Sequence, residues 1–117
     1  MSYNIFVSNL ALENMRKQIS KRSTPPVHIR FGVQGSGCSG YRYFFEFEDK
    51  AAKSTDHQFA FEIGPSNNFI WIVVDKKSIL LLDGTKIDWK NDLMETGYVF
   101  ENPQAKSSCG CGESFNL

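Results

Sequence analysis

Three cysteines are the residues of this sequence with the strongest capacity to bind a metal or to react. Cys38 lies in the run Gly35-Ser36-Gly37-Cys38-Ser39-Gly40, and Cys109 and Cys111 flank Gly110 near the C-terminus. The neighbouring glycines leave these thiols sterically open and allow positive φ values. Residues two apart on an extended chain point to the same side, so Cys109 and Cys111 can present two thiolates in one direction. A disulfide between them would be strained.

The ligand type restricts the metal. Three thiolates select zinc, copper(I) or an iron–sulfur cluster. A structural zinc site usually has four ligands, often in Cys-x-x-Cys pairs, and the sequence contains no such pair. His28 is predicted to face outward on a strand and His57 to lie in a polar loop, so both are interpreted as surface residues. An iron–sulfur cluster also takes about four ligands. One chain therefore needs a second protomer or an oxygen ligand such as Glu113, and such a site favours delivery over permanent electron transfer.

Composition excludes several classes of protein. The 117 residues are 41% hydrophobic and include ten Phe, which is too apolar for a disordered chain and sufficient for a core. Thirteen basic residues balance thirteen acidic ones, so no global field attracts nucleic acid or an anionic membrane. No apolar run approaches the roughly 20 residues of a membrane helix. The first residues resemble neither a signal peptide nor a transit peptide, which predicts a bacterial-type cytoplasmic protein rather than one of the mitochondrial matrix.

The elements that must position the cysteines are mostly strands. Ser8 and Asn9 are good N-caps, and Ala11, Met15 and Ile19 recur at helical spacing, which predicts a helix over about residues 9–20. Alternating patterns predict strands in VHIRFGVQ, YRYFFEFE and QFAFEI, and FIWIVVD is interpreted as a strand buried on both faces. KKSILLLD predicts a short helix, Asp83-Gly84 a turn, and TKIDW and GYVFEN two further strands. A polar tail is predicted from Asn102.

This pattern predicts an α+β or mainly β domain. It also predicts the core, which comprises Val27, Ile29, Phe31, Val33, Phe45, Phe47, Phe59, Phe61, Ile72 and Val74, with Met15 and Ile19 of the helix packed against them. The metal hypothesis requires this fold to bring the C-terminal tail to the glycine loop of Cys38.

Three segments of the sequence resemble a known family. They are GSGCSGYRY, VDKKSILLLDGTKIDW and GYVFENPQAKSSCGCGESF, and they resemble the A-type iron–sulfur carrier family, also called HesB or IscA-like. The similarity runs through roughly residues 5 to 117. The segment GPSNNFIW is longer than the turn that is usual in the family at this point. Gln34-Gly35-Ser36 occupies positions at which family members vary between similar small or polar residues.

The resemblance implies a compact, β-sandwich-like HesB-type fold, homodimers or homotetramers, and binding of a [2Fe–2S] or [4Fe–4S] cluster or of iron. The family's three ligand cysteines correspond to Cys38, Cys109 and Cys111, with Glu113 as a further candidate ligand. We expect one domain over residues 1–117, with a core of about 5–103 and a cysteine tail of 104–117.

The expected function is that of a carrier rather than an enzyme. It would accept a cluster or iron from an assembly scaffold and pass it to apo-proteins, without nucleic acid or membrane partners. A thiol–disulfide protein using Cys109 and Cys111, with Cys38 as the resolving group, is the alternative from another class. It lacks a Cys-x-x-Cys at a helix N-terminus. A mononuclear iron chaperone would use the same three residues.

Overall fold

The computed structural model describes residues 3–22, 28–35, 40–64, 68–93, 96–105, 107–108 and 114–116. Strands dominate these residues, and two helices accompany them, as the sequence predicted. The elements in chain order are β1 (Phe6–Val7), α1 (Asn9–Ser20), β2 (His28–Gly35), β3 (Tyr41–Glu48), β4 (His57–Gly64), β5 (Asn68–Val74), α2 (Ser78–Leu82), β6 (Lys86–Asn91), β7 (Thr96–Glu101), β8 (Ser107–Ser108) and β9 (Ser114–Asn116).

The strands form two sheets. The larger has the order β4-β5-β2-β3-β9-β8, and the smaller has the order β1-β6-β7. β2 pairs in parallel with β5, and β1 in parallel with β6, while the other neighbours are antiparallel. Helix α1 contacts β4 of the larger sheet and β6 of the smaller one, and helix α2 contacts β2. This architecture agrees with the α+β or mainly β domain predicted from the sequence.

Helix α1 has the predicted limits. The Ser8 hydroxyl oxygen accepts a hydrogen bond from the Ala11 amide at 3.1 Å, and its own proton is donated to Asp88 Oδ1 at 2.6 Å. The cap therefore also fixes the helix start to β6. Ala11 and Met15 are fully buried, and Ile19 packs against the core. Within the described ranges, neither helix is long and apolar enough to cross a membrane.

Aromatic rings join the two sheets. Phe31 on β2 is fully buried, and its ring centroid lies 5.1 Å from that of Phe100 on β7 and 5.8 Å from that of Phe45 on β3. The Tyr98 hydroxyl donates to Gln18 Oε1 at 3.1 Å, which ties β7 to α1, and burial raises the pKa of Tyr98 to about 12. Aromatic contacts of this kind contribute both buried area and preferred ring geometry.

The predicted core is largely confirmed. Met15, Ile29, Phe31, Ile72 and Val74 are buried. Six others are half-buried and pack against them: Ile19, Val33, Phe45, Phe47, Phe59 and Phe61. Val27 lies outside the described residues.

The prediction that β5 is buried on both faces is wrong. Ile70 and Ile72 point into the core, but Phe69 is 51% and Trp71 43% exposed on the other face. Val73, on that same outer face, is buried, since it pairs with Arg30, whose guanidinium binds Asp56 of the β3–β4 connection. The apolar character of a side chain therefore does not show that another part of the fold covers it.

Both histidine predictions are also wrong. His28 is only 2% exposed, and its Nε2 lies 3.8 Å from Glu48 Oε1, with no hydrogen-bond partner among the described residues. It does lie on the outer face of β2, as the alternation predicts, but that face is covered at this position. His57 begins β4 instead of lying in a loop, and its ring packs edge-on against Tyr3 with centroids 5.1 Å apart.

Candidate metal centre

The glycine loop is the connection of a β-hairpin. Cys38 itself lies outside the described residues, but both ends of its loop are fixed. β2 and β3 pair continuously from His28 and Glu48 to Gly35 and Tyr41. Gly40, directly before β3, has a φ of 101°, a conformation that side chains with a Cβ rarely adopt. A glycine is therefore required where the chain returns from the loop into the sheet.

Helix α2 supports the hairpin close to this loop. The Ser78 hydroxyl accepts a hydrogen bond from the Val33 amide at 3.2 Å, two residues before Gly35. Asp75 Oδ2 in turn accepts from the amides of Lys77 and Ser78, each at 3.1 Å. Burial raises the pKa of Asp75, but a hydrogen bond from the Ser78 side chain, together with those from the two amides, outweighs that effect and leaves the pKa below its ordinary value. The end of β2 is thus anchored to a capped turn rather than left free.

The pair Cys109 and Cys111 lies in the sequence between two short strands. Cys109, Cys111 and Glu113 lie outside the described residues, between Ser108 of β8 and Ser114 of β9. β9 pairs with β3, with Phe115 opposite Tyr41, and β8 pairs with β9. The predicted polar tail from Asn102 therefore needs correction, since these residues extend the larger sheet. Strands of two and three residues carry no alternation that a sequence pattern could reveal.

Side-chain amides fix the chain that leads to β8. Asn102 Nδ2 donates to the Leu81 carbonyl at 2.9 Å, and Gln104 Nε2 donates to the Asp83 carbonyl at 3.2 Å. Both contacts attach the C-terminal segment to α2 and to the turn that follows it. The same helix also anchors β2, so it supports both cysteine-bearing parts of the chain.

One row of paired residues links these parts. Gly35, Tyr41, Phe115 and Ser108 lie opposite one another on β2, β3, β9 and β8. Neighbouring strands are spaced by about 4.8 Å, so this row spans roughly 15 Å. The sheet therefore places Gly35 and Ser108, the strand ends that flank the two cysteine segments, in one row of paired residues. β2 and β8 cross this row in opposite directions.

The described residues hold no competing metal site. Nowhere among them do three or more His, Cys, Asp or Glu side chains form a group that could hold a metal ion. The buried Tyr43, whose ring stacks on Phe31 with centroids 6.2 Å apart, gives β3 an apolar inner face below the row. Burial raises the pKa of Tyr43, so its phenol stays protonated and neutral.

Comparison with known proteins identifies the family of the chain. The family model for iron–sulphur cluster biosynthesis matches residues 3–113. The chain belongs to this family. Among its relatives is the iron-binding protein IscA of Serratia proteamaculans, 36% identical over 97% of this chain and 99% of the relative. The iron–sulfur cluster insertion protein ErpA of Xanthomonas campestris pv. campestris is 32% identical over 94% of this chain and 80% of the relative.

Solved structures of family members have the same fold. The crystal structure of IscA with the [2Fe–2S] cluster superposes with a TM-score of 0.76 at 26% identity, covering 97% of this chain and 98% of that one. Escherichia coli SufA, involved in biosynthesis of iron–sulfur clusters, gives a TM-score of 0.74 at 25% identity, covering 100% and 96%. The resemblance to A-type carriers noted in the sequence is therefore confirmed.

Proposed function

We propose that this protein is a carrier that binds an iron–sulfur cluster through Cys38, Cys109 and Cys111 and passes it to apo-proteins. The observation that carries the proposal is the row Gly35–Tyr41–Phe115–Ser108, which gathers the ends of both cysteine segments in one sheet. Membership in the iron–sulphur cluster biosynthesis family supports the same role. So does the similarity to an IscA that was crystallised with a [2Fe–2S] cluster.

The transfer is a ligand exchange rather than a catalysed reaction. Each iron–thiolate bond to the carrier is replaced by one to a cysteine of the acceptor. The acceptor thiol releases its proton as it binds iron, and the carrier thiolate takes one up as it leaves. No electrons are gained or lost, so no oxidant or reductant is needed. Loading from an assembly scaffold follows the same exchange in the other direction, and glycines around the ligands keep them accessible.

We propose further that two or more chains complete the ligand set. Three thiolates are one fewer than a cluster usually takes, whereas a two-fold pair offers six. The opposite directions of β2 and β8 at this row also favour ligands from more than one chain. A homodimer or homotetramer is therefore the expected carrier, with Glu113 as the reserve oxygen ligand within one protomer.

Mononuclear iron is the second candidate cargo, because several relatives are named iron-binding proteins. Mononuclear iron would bind to the same three cysteines. The two cargoes are therefore distinguished by whether the bound species contains sulfide as well as iron. A thiol–disulfide role for Cys109 and Cys111 predicts no bound iron and a disulfide that cycles.

Anaerobic reconstitution with iron and sulfide tests the proposal. We expect the absorption and Mössbauer spectra of a cluster, and its transfer to an apo-ferredoxin without added chelator. Mössbauer spectra of isolated ferric or ferrous iron without sulfide would instead support the iron chaperone. Failure to bind iron, together with a reversible Cys109–Cys111 disulfide, would contradict the carrier role altogether.

A further inference from the structure

A basic groove lies on the outer face of the larger sheet, beside Arg30 near the start of β2 and Glu48 at the end of β3. It is a cavity of about 470 Å³ between the β3–β4 connection and the β5–α2 connection. Lys50 and Lys53 stand on the first connection, and Lys76 and Lys77 on the second. We call this cavity the lysine groove.

The acidic groups of the lysine groove are already engaged within the chain. Arg30 binds Asp56 Oδ2 through Nη2 at 3.0 Å and Glu48 Oε2 through Nε at 3.2 Å. Asp56 also accepts a hydrogen bond from the Lys53 amide at 2.8 Å. Asp75 is occupied by the two amides at the start of α2. These carboxylates form their ion pairs and hydrogen bonds with Arg30 and with backbone amides, although the charge of Lys53 also lowers the pKa of Asp56.

The four lysine side chains of the groove differ from its carboxylates in their ion pairs. All four residues are exposed, and within the described part of the chain none of their ammonium groups forms an ion pair. The protein as a whole has no net charge, so this concentration of positive charge is local. A local excess of one sign in a concave site attracts groups of the opposite charge.

We infer that the lysine groove docks a carboxylate-rich segment of a partner protein. Lysines are flexible point charges, which suit carboxylates on a mobile chain. A phosphate-binding site would offer backbone amides or a free guanidinium fork. Here the amides of Lys77 and Ser78 are used by Asp75, and Arg30 is used by two carboxylates. Zero net charge also provides no extended field for nucleic acid.

This surface adds a partner contact to the proposed function, and its role in cluster transfer rests on that function. Docking through exposed ion pairs is weak and sensitive to salt, which suits a carrier that must release each partner. No residue of the lysine groove belongs to the cysteine segments, so docking and cluster binding can be disturbed separately.

A labelled peptide tests the inference directly. A short fluorescein-labelled peptide of alternating glutamate and glycine is titrated with the full, cluster-free chain, and anisotropy is measured at low and high salt. The same peptide with glutamine in place of glutamate is the neutral probe. We expect the acidic peptide to bind and its affinity to fall with salt, while the neutral peptide does not bind.

Matched variants identify the site. Lys53→Gln with Lys77→Gln removes one charge from each wall of the groove, and we expect about tenfold weaker peptide binding. Lys21→Gln with Lys86→Gln removes the same charge from exposed lysines elsewhere, and we expect a change of less than about twofold. Equal thermal unfolding midpoints for the two double variants check that both remain folded.

Three results would overturn the inference. They are equal losses in the two double variants, displacement of the peptide by inorganic phosphate at matched ionic strength, and tighter groove-dependent binding of a DNA oligonucleotide than of the peptide. A variant with all three cysteines replaced by serine should bind the peptide as the natural chain does. If reconstitution fails while groove-dependent peptide binding persists, the proposed function is wrong and the docking surface stands.

Discussion

At the residue scale, Arg30 is the centre of the ion-pair network on the outer face of the sheet. Its guanidinium joins Glu48 at the end of β3 to Asp56 just before β4, and so ties the connection between these strands to β2. Asp56 is only 2% exposed in its side chain. The hydrogen bond from Arg30 is the main reason that the pKa of Asp56 lies below its ordinary value. Removing one partner of a nearly buried pair costs more than removing one partner of an exposed pair, because the remaining charge is left without compensation away from water.

Asp56→Asn should therefore lower the free energy of unfolding at neutral pH by about 1–3 kcal/mol. A depressed folded-state pKa gives a contribution that is complete above the unfolded pKa of about 3.9 and is lost as pH falls through the lower folded value. The natural chain should thus lose more stability than the variant below about pH 4, so that their curves converge. Urea unfolding across this pH range measures both effects.

Asp49→Asn is the matched control for this prediction. Asp49 also pairs with an arginine, Arg22, at 2.9 Å, but its side chain is 69% exposed. We expect a change within about 1 kcal/mol. A larger effect from Asp49→Asn than from Asp56→Asn would contradict the assigned importance of burial.

Single residues also show where sequence patterns fail. The alternation in β2 assigns His28 to the outer face, and it does lie there, but the pattern cannot tell that this face is covered. The same limit applies to Phe69 and Trp71, which are apolar yet exposed. Alternation predicts the side of a strand to which a residue points. Its burial depends on whether other segments, distant in the sequence, pack against that side.

At the element scale, the turn between α2 and β6 is a site where backbone geometry matters. Gly84 has a φ of 87°, and a Cβ there would lie 3.0 Å from Pro103 Cγ. Its amide donates to the Asn4 carbonyl at 2.7 Å, which fixes the N-terminal segment beside β6. Gly84→Ala should lower the free energy of unfolding by about 1–2 kcal/mol, because an L residue is strained in this conformation. Thermal or urea unfolding measures the loss.

Gly35→Ala provides the comparison. Its ideal Cβ meets no atom within 4 Å, and its φ is not in the left-handed region. Its effect should stay within about 0.5 kcal/mol. Equal destabilisation by both substitutions would show that strain at Gly84 is not the cause.

Elements with a clear period were predictable, and the shortest were not. α1, α2 and the strands β2 to β7 follow from helical spacing, alternation and turn residues. β1, β8 and β9 have only two or three residues each, and long-range pairing alone defines them. This matters for the proposed site, since β8 and β9 flank the Cys109–Cys111 segment in the sequence and pair into the sheet that contains β2 and β3. The cysteines themselves were chosen from residue type and glycine context, and their role stays a proposal.

At the scale of the whole molecule, the aromatic contacts around Phe31 hold the two sheets together. Phe31→Ala should lower the free energy of unfolding by about 3–5 kcal/mol, since the residue is fully buried between β3 and β7. Phe69→Ala removes the same side chain from an exposed position on β5 and should cost less than about 1 kcal/mol. Urea denaturation of both variants gives the comparison, and similar losses would contradict the assigned inner and outer faces.

The central claim concerns the three cysteines acting together in an assembly. The three cysteines lie outside the elements that form the core. Each of the variants Cys38→Ser, Cys109→Ser and Cys111→Ser should therefore fold. In a shared site each substitution removes a ligand from every contributing chain, so none should retain a stable cluster. Glu113→Gln should weaken binding only mildly.

The most direct test is iron and sulfide content measured together with mass in solution after anaerobic reconstitution. We predict a cluster in the natural chain, in an assembly of two or more protomers, and loss of iron and sulfide in each cysteine variant. Undiminished cluster content in any of the three cysteine variants would contradict the ligand assignment. A strictly monomeric protein that holds a full cluster without external thiol would contradict the shared site.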